Sequence, residues 1–186
     1  MTHYRLVDDL SINGRWFLGE LTSPQIEVDV WEYNSVGPVT VSDLPLFIEV
    51  AENGVALDLT FAAFDVLICN SKSAKMLKEN EVQLLPVSII GEQDTDYYVV
   101  IILNEVDCID RESSDFTLFE ENDSIRPDLA GEFSSFFVMV VNDDLLGNLD
   151  IVRVKGFNNT VIISERLKDS IVTLGLTGIK FESVSK

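Results

Sequence analysis

Apolar positions along this chain fall mostly into short runs and two-residue alternations, the pattern of strands, with helical spacing confined to two stretches. Residues 15–18 read as a short strand closed by Gly19. Ile26, Val28 and Val30 alternate with Glu27, Asp29 and Trp31, which predicts a half-buried strand. Val36-Gly37-Pro38 and Asp43-Leu44-Pro45 are turn signals. Residues 46–50 form the next strand, and Asn53-Gly54 predicts a tight hairpin turn into 55–59. Residues 66–69 are a compact apolar strand. Ser71 or Ser73 is placed to cap a helix over 74–79. A strand over 82–89 follows, and its Pro86 argues for a sheet edge.

The second half opens with a long strand candidate, 97–110, followed by an acidic loop, 113–128. Residues 136–141 read as a buried strand, and Asn142-Asp143-Asp144 with Gly147-Asn148 as a turn. After a strand start at 151–154 comes 161–163, with Ser164 as the N-cap of a helix. Leu167, Ile171 and Leu174 share one face of that helix, and Gly175 fits the C′ position that stops it. Residues 179–184 alternate again as a strand. A strand–Ser–helix–strand unit is thus used twice, near 66–89 and 161–184. The expected fold is α+β: a strand-rich single domain over 1–186 with few short helices, divisible into lobes 1–90 and 91–186.

Charge changes the picture more than composition does. The 186 residues carry 32 acidic and 13 basic side chains, a net of −19. Residues 92–150 hold 16 acidic and 2 basic residues, whereas 151–186 hold 3 acidic and 6 basic. Such a chain lacks the basic face that nucleic acid or an anionic membrane surface requires, so neither is an expected partner. No apolar run approaches the ~18 residues of a membrane span, and the first residues lack the pattern of an export signal. A cytoplasmic address follows as the expectation. The acidic third is either a solvated face or a surface that attracts and orients a basic partner.

Candidate chemistry is sparse. The one histidine, His3, falls at what reads as a frayed terminus, which leaves no basis for a Ser-His-Asp or Cys-His set. Phosphate-cradling glycine motifs are absent. Cys69 and Cys108 sit in apolar runs and read as buried thiols. Trp16 and Trp31 read as core or lobe-interface anchors. Carboxylate groups such as Asp107 with Asp110, or Asp143 with Asp144, lack the spacing of a calcium loop. The expectation is therefore no catalytic residue, no cofactor and no metal. The residues assigned to partner contact are Asp94, Asp96, Glu120, Glu121 and Asp123, on local charge and loop exposure.

Two C-terminal stretches, DIVRVKGFNNTVIISERLKD over 150–169 and GLTGIKFESV over 175–184, are distinctive. They resemble the closing block of a bacterial family, immunity protein family 11 of polymorphic toxin systems. DVLICNS at 65–71, Tyr97-Tyr98 through Asp107 to Asp110, and Trp31-Glu32-Tyr33 add to the likeness. Ser183 stands where that pattern has proline. The resemblance implies a non-enzymatic intracellular antidote that binds and neutralises a cognate toxin, by steric and electrostatic blocking of a basic surface. A non-catalytic adaptor or chaperone for a secreted effector is the alternative. A carboxylate- or metal-dependent enzyme is a third reading.

Overall fold

The computed structural model describes residues 2–40, 45–92 and 94–186. In chain order its strands and helices are β1 (His3–Asp8), β2 (Phe17–Thr22), β3 (Leu46–Glu52), β4 (Leu59–Ala62), β5 (Val66–Asn70), α1 (Ser71–Leu77) and β6 (Val82–Ile89). There follow β7 (Tyr97–Ile102), β8 (Glu105–Val106), β9 (Asp115–Leu118), β10 (Phe133–Val138) and α2 (Asp143–Leu146). The chain ends with β11 (Ile151–Val154), β12 (Phe157–Ser164), α3 (Glu165–Thr173) and β13 (Ile179–Ser183). The fold is α+β and strand-rich.

Two sheets carry the molecule. One has six strands in the order β2-β3-β6-β7-β5-β4, the other five in the order β13-β1-β12-β11-β8. β9 and β10 make a separate antiparallel ribbon. The sheets exchange chain: β1 belongs with the late strands, while β7 belongs with the early ones. Alternate side chains of each central strand enter different cores. Val99 and Ile101 join one cluster with Trp16, Leu18 and Ile48. Val100 and Ile102 join a second with Leu6, Ile151 and Ile163 of the other sheet, plus Ala74, Leu77, Leu167 and Ile171 of α1 and α3. Val152, Val154 and Ile162 face a third, with Cys108, Phe133, Leu146 and Val184. Burial on both faces explains why these strands read as uninterrupted apolar runs. Cys69 and Cys108 are free and buried; burial pushes their thiols up to about 12 and about 11, so they behave as inert core groups.

The twice-used unit has a defined topology. β5 and β6 both lie antiparallel to β7, which sits between them, so α1 connects two parallel strands across an intervening one. β12 and β13 flank β1 in the same way, with α3 as their connection. Asn70, not Ser71 or Ser73, caps α1, its side chain accepting from the Ser73 amide at 3.0 Å. Ser164 caps α3 as the sequence predicts, accepting from the Leu167 amide at 3.2 Å.

Several expectations are corrected. Residues 26–30 form no strand: Asp29 accepts from the Trp31 amide and opens a 3-10 turn over Val30–Tyr33 instead. β2 runs through Gly19, whose missing side chain lets the Glu49 carbonyl of β3 approach. Asn53-Gly54 makes no hairpin, since β3 and β4 lie far apart in the sheet order. Gly54 serves close approach, for a Cβ there would fall 2.4 Å from the Arg15 backbone. Pro86 lies in an interior strand, but the parallel ladder to β3 begins only at Val87, so its missing N–H costs no pairing. The run 97–110 breaks after Ile102 and continues as β8 in the other sheet. The acidic loop contains β9; the buried strand placed at 136–141 is instead β10 at Phe133–Val138, where Phe137 and Val138 are exposed; and Asp143–Leu146 is a short helix. Of the Asp43-Leu44-Pro45 turn, Asp43 and Leu44 lie outside the described residues.

The sheets meet at Gly178, before β13. Its φ is +113°, and a Cβ would lie 1.8 Å from the Leu59 carbonyl oxygen of β4. Gly178→Ala is therefore expected to cost about 2–4 kcal/mol in urea unfolding. Gly175→Ala, also at positive φ but facing open space, should cost only about 1 kcal/mol.

Candidate functional site

The five carboxylates assigned to partner contact fall on two separate elements. Asp94 and Asp96 are exposed on the connection between β6 and β7, where the Asp96 carbonyl accepts from the Ser71 amide at 2.9 Å. Glu120 and Glu121 are exposed, and Asp123 half-buried, on the loop from β9 to β10. Among the described residues no hydrogen bond or ion pair joins the two groups. Asp123 also has a local task. Its carboxylate accepts from the Ile125 and Arg126 amides at 2.8 and 2.7 Å, shaping the entry to a 3-10 turn at Pro127–Leu129. Those backbone donors hold its carboxyl below the ordinary range.

The ribbon is attached by aromatic packing. Phe116 and Phe133 meet edge to face with ring centroids 4.9 Å apart, and Phe136 lies 4.8 Å from Phe133 and 5.1 Å from Phe157 of β12. A two-stranded ribbon is marginal alone, so this cluster is what makes it persist. The register shifts twice, between Phe133 and Ser135 and between Phe136 and Val138. Phe137 points outward by alternation after inward Phe136, and the second irregularity leaves Val138 outward as well; they are 75% and 51% exposed. Leu118 on β9 and Ile125 on the loop are 46% and 83% exposed. Thr117 bonds the hydroxyls of both Ser134 and Ser135 at 2.7 Å.

The two arginines of residues 92–150 are already engaged. Arg111 pairs with Asp107 at 3.2 Å and lies over the Phe133 ring. Arg126 pairs with Asp128 at 2.8 Å and lies over the Trp31 ring, 5.9 Å from its centroid. Lys186 pairs with Asp110, and among the described residues Asp115, Glu120, Glu121, Asp123 and Glu132 have no ion-pair partner, which leaves their charge for solvent or a partner. Trp31 is 54% exposed, so of the two readings, core or lobe-interface anchor, the core one is corrected; its ring packs between Phe64 and Arg126, while Trp16 is buried. Beneath the loop lies a cleft of about 580 Å³, walled by Trp31, Phe119, Glu132, Phe133 and Phe157. Behind it Arg153 is fully buried, donating to Asn34 Oδ1 at 3.0 Å and to the Asn158 carbonyl. Burial brings its pKa down to about 10, still charged at neutral pH.

His3 is not frayed: it is buried in β1, opposite Ser164 of β12. Its Nδ1 lies 2.6 Å from Asp143 Oδ1, and the Ser185 hydroxyl donates to that same oxygen at 2.6 Å. The order differs from a Ser-His-Asp relay, in which the serine would meet the other ring nitrogen. Here, among the described residues, His3 Nε2 is buried with no hydrogen-bond partner. The contact ties the first strand, α2 and the C-terminal end together. Sequence spacing could not reveal it, because residues 3, 143 and 185 meet only through the fold. Among the described residues no group of three His, Cys, Asp or Glu side chains is placed to hold a metal ion.

A model of the Immunity protein family (Imm11) matches residues 88–186, a span that includes the ribbon, α2, α3 and four of the five strands of the second sheet. No curated protein matches the chain.

Burial alone would raise the Asp143 carboxyl; the Ser185 hydroxyl and the His3 ring outweigh it and hold the group below its ordinary range. A carboxyl depressed on folding contributes stability above its unfolded pKa and loses it as pH falls through the folded one. Asp143→Asn should therefore lower unfolding free energy at pH 7 by about 1–3 kcal/mol and have a smaller effect at pH 3. Urea titrations of both proteins at the two pH values check this.

Proposed function

Because the chain belongs to the Immunity protein family (Imm11), we propose that it binds a cognate toxin domain and neutralises it by steric and electrostatic blocking. The observation that carries this reading is the overlap of the matched residues with the acidic third of the chain, which includes the aromatic-anchored ribbon and its loop. The partner is a protein with a basic surface, and the antidote acts in the cytoplasm of a bacterium that carries the toxin. The mechanism asks for no bond making by this chain. It asks for a preformed face that occupies the toxin's working surface, with complementary charge to speed encounter and disfavour other partners. Antidote action must outpace damage, and electrostatic steering serves that need because it acts on the association rate.

Coexpression tests the proposal. In bacteria producing the toxin domain encoded beside this gene, the full chain should restore growth. The purified pair should form a one-to-one complex whose association slows by about tenfold or more when salt is raised through the physiological range. Growth arrest that persists although the two proteins bind would identify an adaptor or chaperone instead.

A further inference from the structure

We propose that the outer face of the β9–β10 ribbon, centred on Phe137 and Val138, together with exposed Ile125 on the loop joining the two strands, is the surface that seats on the toxin. The proposal rests on the neutralising function and adds where contact is made and what the partner must present.

Phe137 and Ile125 have the chemistry of core residues, yet they stand 75% and 83% exposed. Phe137 lies on a ribbon whose other face is occupied, for Phe116, Phe133 and Phe136 pack against the body, and Ile125 lies on the loop that joins its strands. The outward residues are therefore not the spillover of a core that lacked room. Alternation after inward Phe136 turns Phe137 outward, and the register shift between Phe136 and Val138 keeps Val138 on the same side. A large, rigid side chain in the middle of a patch is the usual carrier of binding energy, with polar groups around it excluding water. Thr117, Ser134 and Ser135 supply nearby hydroxyls, and Asp115, Glu120 and Glu121 supply charge.

Charge selects the occupant. Residues 110–132 contain eight acidic and two basic residues, and both basic ones are paired within the segment or beside it. A second copy of this chain would set like charge against like, which opposes association. A toxin surface with an apolar depression ringed by lysine and arginine satisfies the anchor and the rim together. Exposed apolar residues elsewhere, such as Val172 on α3 and Leu174 at its C-cap, lie in residues 151–186, where basic residues outnumber acidic ones.

The test uses the full chain and the toxin domain from the adjoining reading frame, inactivated so that it can be purified. Phe137→Ser should weaken binding at least ~30-fold, and adding Ile125→Ser should weaken it further. Phe137→Trp should bind within a few fold of the parent, and Val172→Ser should match it. All four should keep the parent's melting temperature within a few degrees, since the altered side chains are solvent-facing. Undiminished binding by the Phe137→Ser, Ile125→Ser double variant, with the parent binding well, would overturn the placement and leave the neutralising function standing. A parent that forms a dimer, made monomeric by Phe137→Ser, would overturn it in favour of self-association. A parent that neither binds nor rescues would remove the function itself, and this surface with it.

Discussion

The guanidinium of Arg15 is the contact on which the arrangement of the two sheets turns. It is buried, and it donates to the Asp9 carbonyl at 3.1 Å, the Trp16 carbonyl at 3.2 Å and the Thr60 hydroxyl at 2.9 Å. Asp8 at the end of β1 lies 3.1 Å from it and also accepts from Thr60 and the Phe61 amide of β4. The five-stranded sheet thus delivers an anion to the edge of the six-stranded sheet, where a cation waits. Apolar packing between sheets is non-directional and would tolerate sliding; a buried charge that needs four acceptors does not. Asp58 adds a second clamp nearby, accepting from Asn70 at 2.7 Å and from the Thr177 amide and hydroxyl at 2.8 and 2.9 Å.

With that seam fixed, the position of the ribbon follows. The far face of the five-stranded sheet presents Val152, Val154 and Ile162, and the ribbon's phenylalanines cover them. Buried Arg153 then reaches from β11 to Asn34, holding the segment around Trp31 beside the cleft. Removing one partner of such a buried charge is costly, because the other is left unsatisfied. The acidic ribbon is therefore mounted on a frame with few alternatives, and a face that is already ordered loses little entropy when a partner settles on it.

The parts of this fold legible in the sequence are those decided locally or by burial on both faces. The apolar runs of β5, β7, β11 and β12, the Ser164 cap and the Gly175 stop all depend on a few adjacent residues. The misread parts depend on distant ones. Residues 26–30 alternate as a strand would, but no sheet edge is offered to them and Asp29 closes a turn. Asn53-Gly54 has hairpin chemistry, yet the pairing that β4 finds is with β5. The run 97–110 carries no signal that Asn104 will hand the chain from one sheet to the other, its carbonyl accepting from the Arg153 amide. His3 looked exposed only because it is near the start of the chain. The carboxylates of the candidate site could be found by charge alone. The apolar residues between them could not, since nothing in the sequence 136–141 tells which side of β10 faces the body.

Acidity and exposed hydrophobicity on one element are complementary requirements. A large apolar patch on a free protein invites self-association, and strong like charge around it is the simplest way to prevent that without covering the patch. The same charge that keeps copies apart is attractive to a basic partner, so solubility and selectivity draw on one feature. The proposed function would give a reason for the uneven distribution along the chain, with sixteen of the 32 acidic residues between 92 and 150. If acidity served only general solubility, it would have no reason to concentrate where the ribbon turns its phenylalanine outward.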